Sequence, residues 1–180
     1  SFLNENGVKY NIVDETNHGT PISVSFQGKE REEQLAAINA LLMHSNGVLH
    51  ATTAFGKTVT AAAIIARKKV NTLILVHSKS LLAQWHERLT EFLGIDYVEP
   101  PAPKKRGRRK KFSTIGCLDS TGNSLHGIVD VALIQSCLDG DSVKPFVENY
   151  GMVIVDECHH VSSITFENVL KGVKAHTVYG

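Results

Sequence analysis

Apolar residues fall into three nearly unbroken runs along the chain: Thr72-Leu-Ile-Leu-Val-His77, Val129-Asp-Val-Ala-Leu-Ile-Gln-Ser136 and Val153-Ile-Val155. A strand covered on one face alternates apolar and polar residues. A continuous run marks a strand covered on both faces, as in parallel sheets. Amphipathic spacing over Arg31–Ile38 predicts a helix, and further helices are predicted over Thr58–Lys69 and from Ser78 through Trp85. A short buried strand is predicted over Gly47–His50, just ahead of the second helix. Strands alternating with helices argue for an α/β domain, a mostly parallel sheet with helices on both faces. Residues 1–25 read differently. Val8–Val13 and Ile22–Phe26 flank a turn-rich stretch containing Asn17, Gly19 and Pro21, and are predicted to pair as a hairpin in an N-terminal extension without assigned function. Residues 26–180 form one domain, long enough to bury its own core, and no internal repeat is visible.

Two segments place reactive groups where such a sheet builds its sites, at the C-terminal ends of strands. In Ala51-Thr-Thr-Ala-Phe-Gly-Lys-Thr58, between a strand and a helix, Gly56 lets the backbone pass close to a phosphate. Lys57 can reach the β- and γ-phosphates, and the Thr58 hydroxyl can ligate Mg²⁺. The helix that follows turns its first N–H groups toward the anion. Ala54, Phe55 and Val59 complete the loop's contact surface. About a hundred residues later, Val153-Ile-Val-Asp-Glu-Cys-His-His160 delivers two adjacent carboxylates. Asp156 is placed to hold the metal and Glu157 to orient or deprotonate a water. Each segment has a plainer explanation: Gly-Lys-Thr arises by chance, Ala51 replaces the first glycine of the strict loop pattern, and acids can simply solvate a strand end. Their pairing in this order points instead to a nucleoside-triphosphate-hydrolysing site of the P-loop type.

Asp156-Glu157-Cys158-His159 resembles the Asp-Glu-x-His box of superfamily 2 helicases, the motor domains of DNA and RNA translocases. That superfamily commonly opens its phosphate loop with alanine, as at Ala51; Ala54 departs from a frequent glycine and stiffens the loop. Within it, the chain is most similar to the branch of the type III restriction motor subunit and related repair helicases. The resemblance runs from about Phe26 onward and implies a RecA-like first lobe using ATP and Mg²⁺. It makes Gln34 the adenine-reading glutamine, whose amide both donates and accepts. Ser78-Lys-Ser-Leu-Leu-Ala-Gln-Trp85 resembles motif Ia, which grips a nucleic-acid backbone. Ser78 and Lys79 are thus candidate phosphate contacts, or equally a cap and a solvated charge; Trp85 is assigned to core packing. Gln135 and Ser136 are candidates in the next nucleic-acid motif, where Leu133 replaces the threonine of many relatives. His159 links the site to a second RecA-like lobe. The resemblance also implies that the chain would continue past Val178-Tyr179-Gly180 into a Ser/Thr-Ala-Thr coupling motif and then that second lobe, whose arginine fingers bring several powers of ten in turnover. Without them the first lobe alone is expected not to hydrolyse ATP.

Charge adds one feature. Pro100-Pro-Ala-Pro-Lys-Lys-Arg-Gly-Arg-Arg-Lys-Lys111 holds seven basic residues: Lys104, Lys105, Arg106, Arg108, Arg109, Lys110 and Lys111. With those removed from nineteen Lys and Arg, twelve face eighteen acids, so the near-neutral total conceals a basic loop, spanning about residues 100–113, on a body of net −6. Such a loop is exposed, and a phosphate backbone is its natural partner; a solvated linker or a nuclear-localisation signal are the alternatives. No apolar run is long enough to span a bilayer and no secretory signal opens the chain. The three cysteines lack metal-type spacing and read as reduced thiols of a cytoplasmic protein; Cys158-His159-His160 is too extended to converge on one ion. Serine at position 1 reads as a fragment or a processed chain. The reading is an ATP-dependent helicase or translocase lobe acting on DNA rather than RNA. The alternatives are the motor of a restriction system with a separate nuclease, a nucleotide-gated binding module, or a small-molecule kinase.

Overall fold

The computed structural model of the chain describes residues 13–96, 113–158 and 164–180. Its centre is a seven-stranded sheet. Chain order gives β2 (Asn46–Gly47), β3 (Thr72–Val76), β5 (Gly116–Asp119), β6 (Gly122–Asn123), β7 (Val129–Leu133), β10 (Met152–Val155) and β11 (Thr177–Tyr179). Space rearranges them into β2-β11-β10-β3-β7-β5-β6, all neighbours parallel except the terminal β5–β6 hairpin. Two short antiparallel pairs lie outside it: β1 (Val24–Phe26) with β4 (Leu93–Ile95), and β8 (Leu138–Asp139) with β9 (Ser142–Val143). The helices are α1 (Glu32–Leu42), α2 (Lys57–Lys68), α3 (Lys79–Phe92) and α4 (Ile164–Lys171).

The continuous apolar runs are continuous because the sheet is covered twice. Along β3, Ile74 and Val76 join the core under α1, α2 and α3, while Leu73 and Leu75 face the opposite core with Phe166 and Val169 of α4. The expected mostly parallel α/β architecture is therefore what forms. Alternation with period two survives inside each run, but both of its faces are apolar.

Residues 17–22 cross the N-terminal ends of β11, β10 and β3. Asn71 holds this strap: its Oδ1 accepts from Thr20 N at 2.9 Å and Gly151 N at 3.1 Å, and its Nδ2 donates to Asn149 O at 2.9 Å. The described part of the expected N-terminal extension thus packs against the body. Of the expected hairpin, residues 8–12 lie outside the described residues, while Val24–Phe26 pairs with Leu93–Ile95 (register Val24↔Ile95). The pairing is dictated by α3, which ends at Phe92 beside Phe26, with ring centroids 6.3 Å apart.

A second correction concerns the strand before the phosphate loop. Asn46–Gly47 pairs with β11, a further bond runs from Leu49 N to Gly180 O at 2.7 Å, and Val48 is 70% exposed, so Gly47–His50 is not a buried strand. Among the described residues it lies at the sheet edge, with β11 as its one strand neighbour. At the other side, buried Asp130 accepts from Tyr150 OH at 2.7 Å and from the backbone N–H groups of His126 and Gly127. Both oxygens of this buried carboxylate thereby accept from a donor nearby. The cysteines are free thiols; burial, aided by Asp130 and Asp119, pushes Cys117 up to about 11, and burial pushes Cys137 to about 12. Neither is a thiolate at neutral pH.

Candidate functional site

The parallel strands end together. Val155 of β10 pairs with Leu75, and the next residue, Asp156, donates its N–H to Leu75 O at 3.0 Å. The chain therefore leaves β10 still tied to β3, and the two carboxylates emerge at the sheet's C-terminal edge. Glu157 adopts φ 57°, the left-handed region, which costs a non-glycine residue about 1 kcal/mol. That turn swings its side chain back over the sheet edge.

The loop between β2 and α2 closes from the other side. A single 3₁₀ turn over Thr53–Phe55 carries the chain to Gly56, whose φ of 83° is left-handed and begins α2 at Lys57. Here glycine answers two demands at once. A Cβ would be strained at that φ, and it would stand 2.6 Å from Gln34 Nε2. Thr60 N donates to Gly56 O at 3.1 Å, so the helix ladder starts at this residue. The first N–H groups of an α-helix have no intrahelical acceptor, which is what lets such an end hold an anion.

Lys57 Nζ lies 3.6 Å from Glu157 Oε1, each side chain about a quarter to a third exposed (31% and 26%). This ion pair joins the two motifs that the sequence separates by a hundred positions. Lys57, Asp156 and Glu157 line two neighbouring clefts. One, of about 420 Å³, runs toward Leu49, His50 and Cys158. The other, of about 360 Å³, includes Gly56, Thr58, Val59 and, from α3, Gln84, Trp85 and Arg88. Thr58 and Asp156 thus share a wall, and a hydroxyl with a carboxylate is a donor set suited to a hard cation such as Mg²⁺.

Gln34 is buried, at 3% exposure. Its Nε2 donates to Phe55 O at 2.7 Å, and its Oε1 accepts from Arg31 N at 2.9 Å. Both ends of the amide are engaged within the chain, tying α1 to the loop. Arg31, not singled out in the sequence, does the same: its Nη2 donates to Ala54 O at 3.1 Å and to Phe55 O. Only the fold shows this, because two carbonyls of a loop twenty residues away leave no trace in composition.

Ser78 caps α3, its Oγ accepting from Leu81 N at 3.3 Å, and Lys79 is exposed in the first turn. Gln135, exposed in the 3₁₀ turn after β7, reaches toward His77 O at 3.5 Å. The C-terminal ends of β3 and β7 are neighbours, so Ser78, Lys79, Gln135 and Ser136 gather beside one another. Ser136 O accepts from Lys144 Nζ at 2.9 Å. His159 and the basic residues Lys104–Lys111 lie outside the described residues. Trp85, expected in the core, is there at 3% exposure, and its indole N–H also donates to Asp156 Oδ2 at 2.7 Å. A buried indole needs an acceptor, and that need was the available signal.

Comparison with known proteins follows the same outline. The family model described as "Type III restriction enzyme, res subunit" matches residues 27–180. Putative helicase 109L of Invertebrate iridescent virus 3 is 31% identical over 150 residues, covering 81% of this chain and 42% of that protein. The DNA 3'-5' translocase XPB2 of Sulfurisphaera tokodaii is 29% identical over 133 residues, covering 74% of this chain and 26% of that protein. The chain thus spans less than half the length of these relatives. Among solved structures, the UvsW helicase from Bacteriophage T4 superposes with a TM-score of 0.64 at 16% identity, over 99% of this chain and 66% of that one, a likeness of fold.

Proposed function

Because the chain belongs to the family of the type III restriction enzyme res subunit, within the superfamily 2 helicases, we propose that it is the ATP-binding lobe of a motor that works on DNA rather than RNA. The observation that carries this reading is the Lys57–Glu157 contact of 3.6 Å, which unites the phosphate loop and the carboxylate pair on one cleft. Bound Mg²⁺–ATP supplies a transferable phosphoryl group and a charge that offsets its oxygens. Gly56, with Ala54, Phe55 and Val59, shapes the cradle; Lys57 and the first N–H groups of α2 hold phosphate oxygens; Thr58 and Asp156 hold the cation. The Lys57–Glu157 pair is partly exposed and worth less than about 1 kcal/mol, so its ammonium exchanges Glu157 for phosphate at little cost. With Lys57 on phosphate, the Glu157 carboxylate orients the attacking water and takes its proton. Gln34 braces the loop here with both ends of its buried amide, so reading adenine requires it to exchange Phe55 O and Arg31 N for the base.

Ser78, Lys79, Gln135 and Ser136 form the nucleic-acid face of the lobe, and the basic residues Lys104–Lys111 supply further phosphate contacts. His159 couples the site to a second lobe, which supplies arginines for turnover; alone, the chain binds ATP without hydrolysing it. The location is cytoplasmic, and among the described residues no helix is long and apolar enough to cross a membrane. The family description also favours a second setting, a restriction system in which a separate nuclease acts with this motor.

The archaeal relative named as a DNA translocase supports DNA, whereas a viral relative is named a putative ATP-dependent RNA helicase. ATP hydrolysis by the full polypeptide carrying this lobe should therefore be measured with duplex DNA, single-stranded DNA and RNA. Stimulation of at least about tenfold, or 1.4 kcal/mol of barrier, is expected with DNA. Indifference to every nucleic acid would refute a motor, and stimulation by RNA alone would overturn the DNA assignment.

A further inference from the structure

The hydrogen bond from Trp85 to Asp156 is placed where it has a consequence for the metal site. Trp85 lies on the buried stripe of α3, between Leu82 and Leu89 one turn to either side, packed in the same core as Ala61–Ile65 of α2. The ring is held by the core, so its N–H cannot follow a wandering carboxylate. Indole has a donor and no acceptor, so it meets Asp156 only as a donor, at Oδ2 and 2.7 Å. The backbone of the same residue is tied to Leu75 O at 3.0 Å. Asp156 is thus fixed at its main chain by β3 and at Oδ2 by α3, while it lines the cleft it shares with Thr58. A phenyl ring would fill most of the same apolar space without a donor.

We infer that Trp85 is a positioning residue: its indole N–H orients the Asp156 carboxylate for a divalent cation. This rests on the reading of Asp156 as the metal-holding carboxylate. Groups that hold a ligand's carboxylate in place typically contribute ten- to a hundredfold to metal affinity. The arrangement also joins two faces of the lobe. Lys79, in the first turn of α3, and Trp85 stand about 9 Å apart along the helix axis, so a shift of α3 at its nucleic-acid end moves the donor that fixes the carboxylate.

Trp85 is the single tryptophan of the 180-residue chain, which permits a change of one atom group. Biosynthetic replacement of its indole by benzothiophene exchanges the N–H for sulfur at nearly constant shape; Trp85→Phe serves as the second variant. ATP binding is measured by calorimetry in EDTA and across a Mg²⁺ titration, with thermal melting alongside. Metal-free ATP affinity should stay within about twofold of wild type, while the Mg²⁺ concentration for half-saturation should rise roughly tenfold, equivalent to about 1.4 kcal/mol. An unchanged Mg²⁺ midpoint in the benzothienyl protein overturns the inference, as does an equal loss with and without metal, which would mark a packing role alone. A wild type whose ATP affinity ignores Mg²⁺ overturns the metal reading of Asp156 and this inference with it.

Discussion

Gly56→Ala is the smallest change that should disable the phosphate loop, and its cost can be built up from the structure. Two penalties apply. The residue keeps φ near 83°, a left-handed conformation that costs an L-residue about 1 kcal/mol. The new methyl would also sit 2.6 Å from Gln34 Nε2. Gln34 is 3% exposed and has no open space to enter, so its amide must leave Phe55 O, losing about 1 kcal/mol of hydrogen bond. The sum is about 2 kcal/mol. The loop can yield locally, because Thr53–Phe55 is a single short 3₁₀ turn and the displaced Gln34 amide is one of the few side-chain groups, with Arg31, that tie it to α1. The penalty should therefore appear as an opened cradle, with ATP affinity down about thirtyfold and melting little changed. The double variant Gly56→Ala, Gln34→Ala removes the collision and keeps the backbone strain. Calorimetric ATP titration of the three proteins, with melting curves, tests this. If Gly56→Ala binds ATP like wild type, the left-handed turn and the Gln34 contact do not support the site.

Other outcomes follow from the same geometry. Glu157→Gln keeps the shape of the side chain but cannot take a proton, so the full polypeptide should bind ATP and fail to hydrolyse it; turnover at the wild-type rate would move the water-activating role elsewhere. Replacing Lys104–Lys111 with a neutral Gly/Ser linker should flatten the salt dependence of duplex binding by a log–log slope of roughly 3, for three or four phosphate contacts, without altering ATP affinity. An unchanged slope would leave that segment a solvated linker. Tyr150→Phe removes one donor from fully buried Asp130, which retains the N–H groups of His126 and Gly127. Denaturant unfolding should show a loss of about 1–2 kcal/mol, and an unchanged midpoint would mean that the carboxylate is satisfied without it.

The parts of this fold that could be read in the chain are those whose physics is local. Thr72–Val76, Val129–Leu133 and Met152–Val155 are apolar on both faces because both faces are covered, and that condition is written directly into residue type. Asp156 and Glu157 were legible at the end of such a strand, and Lys57 and Thr58 were legible because they follow Gly56 at the start of a helix. Pairings between distant short segments were not legible. Val24–Phe26 finds Leu93–Ile95 through three residues on each side, too few to carry a pattern. The edge position of Asn46–Gly47 depends on the whole strand order, which no window of sequence contains. The same holds for Arg31 on the loop carbonyls and for Trp85 on Asp156. Each is a donor whose acceptor is set by packing, so the sequence shows the need for a partner without showing which partner.

The central claim is that Lys57 and the Asp156–Glu157 pair form one ATP site, and Lys57→Ala tests it most directly. The ammonium is the cation at the head of α2, and charge-assisted contacts to phosphate are among the strongest available to a side chain. Calorimetric titration of the chain with ATP in the presence of Mg²⁺ should give saturable binding for wild type. For Lys57→Ala the dissociation constant should rise at least tenfold, about 1.4 kcal/mol. Equal ATP affinity in the two proteins would contradict the account.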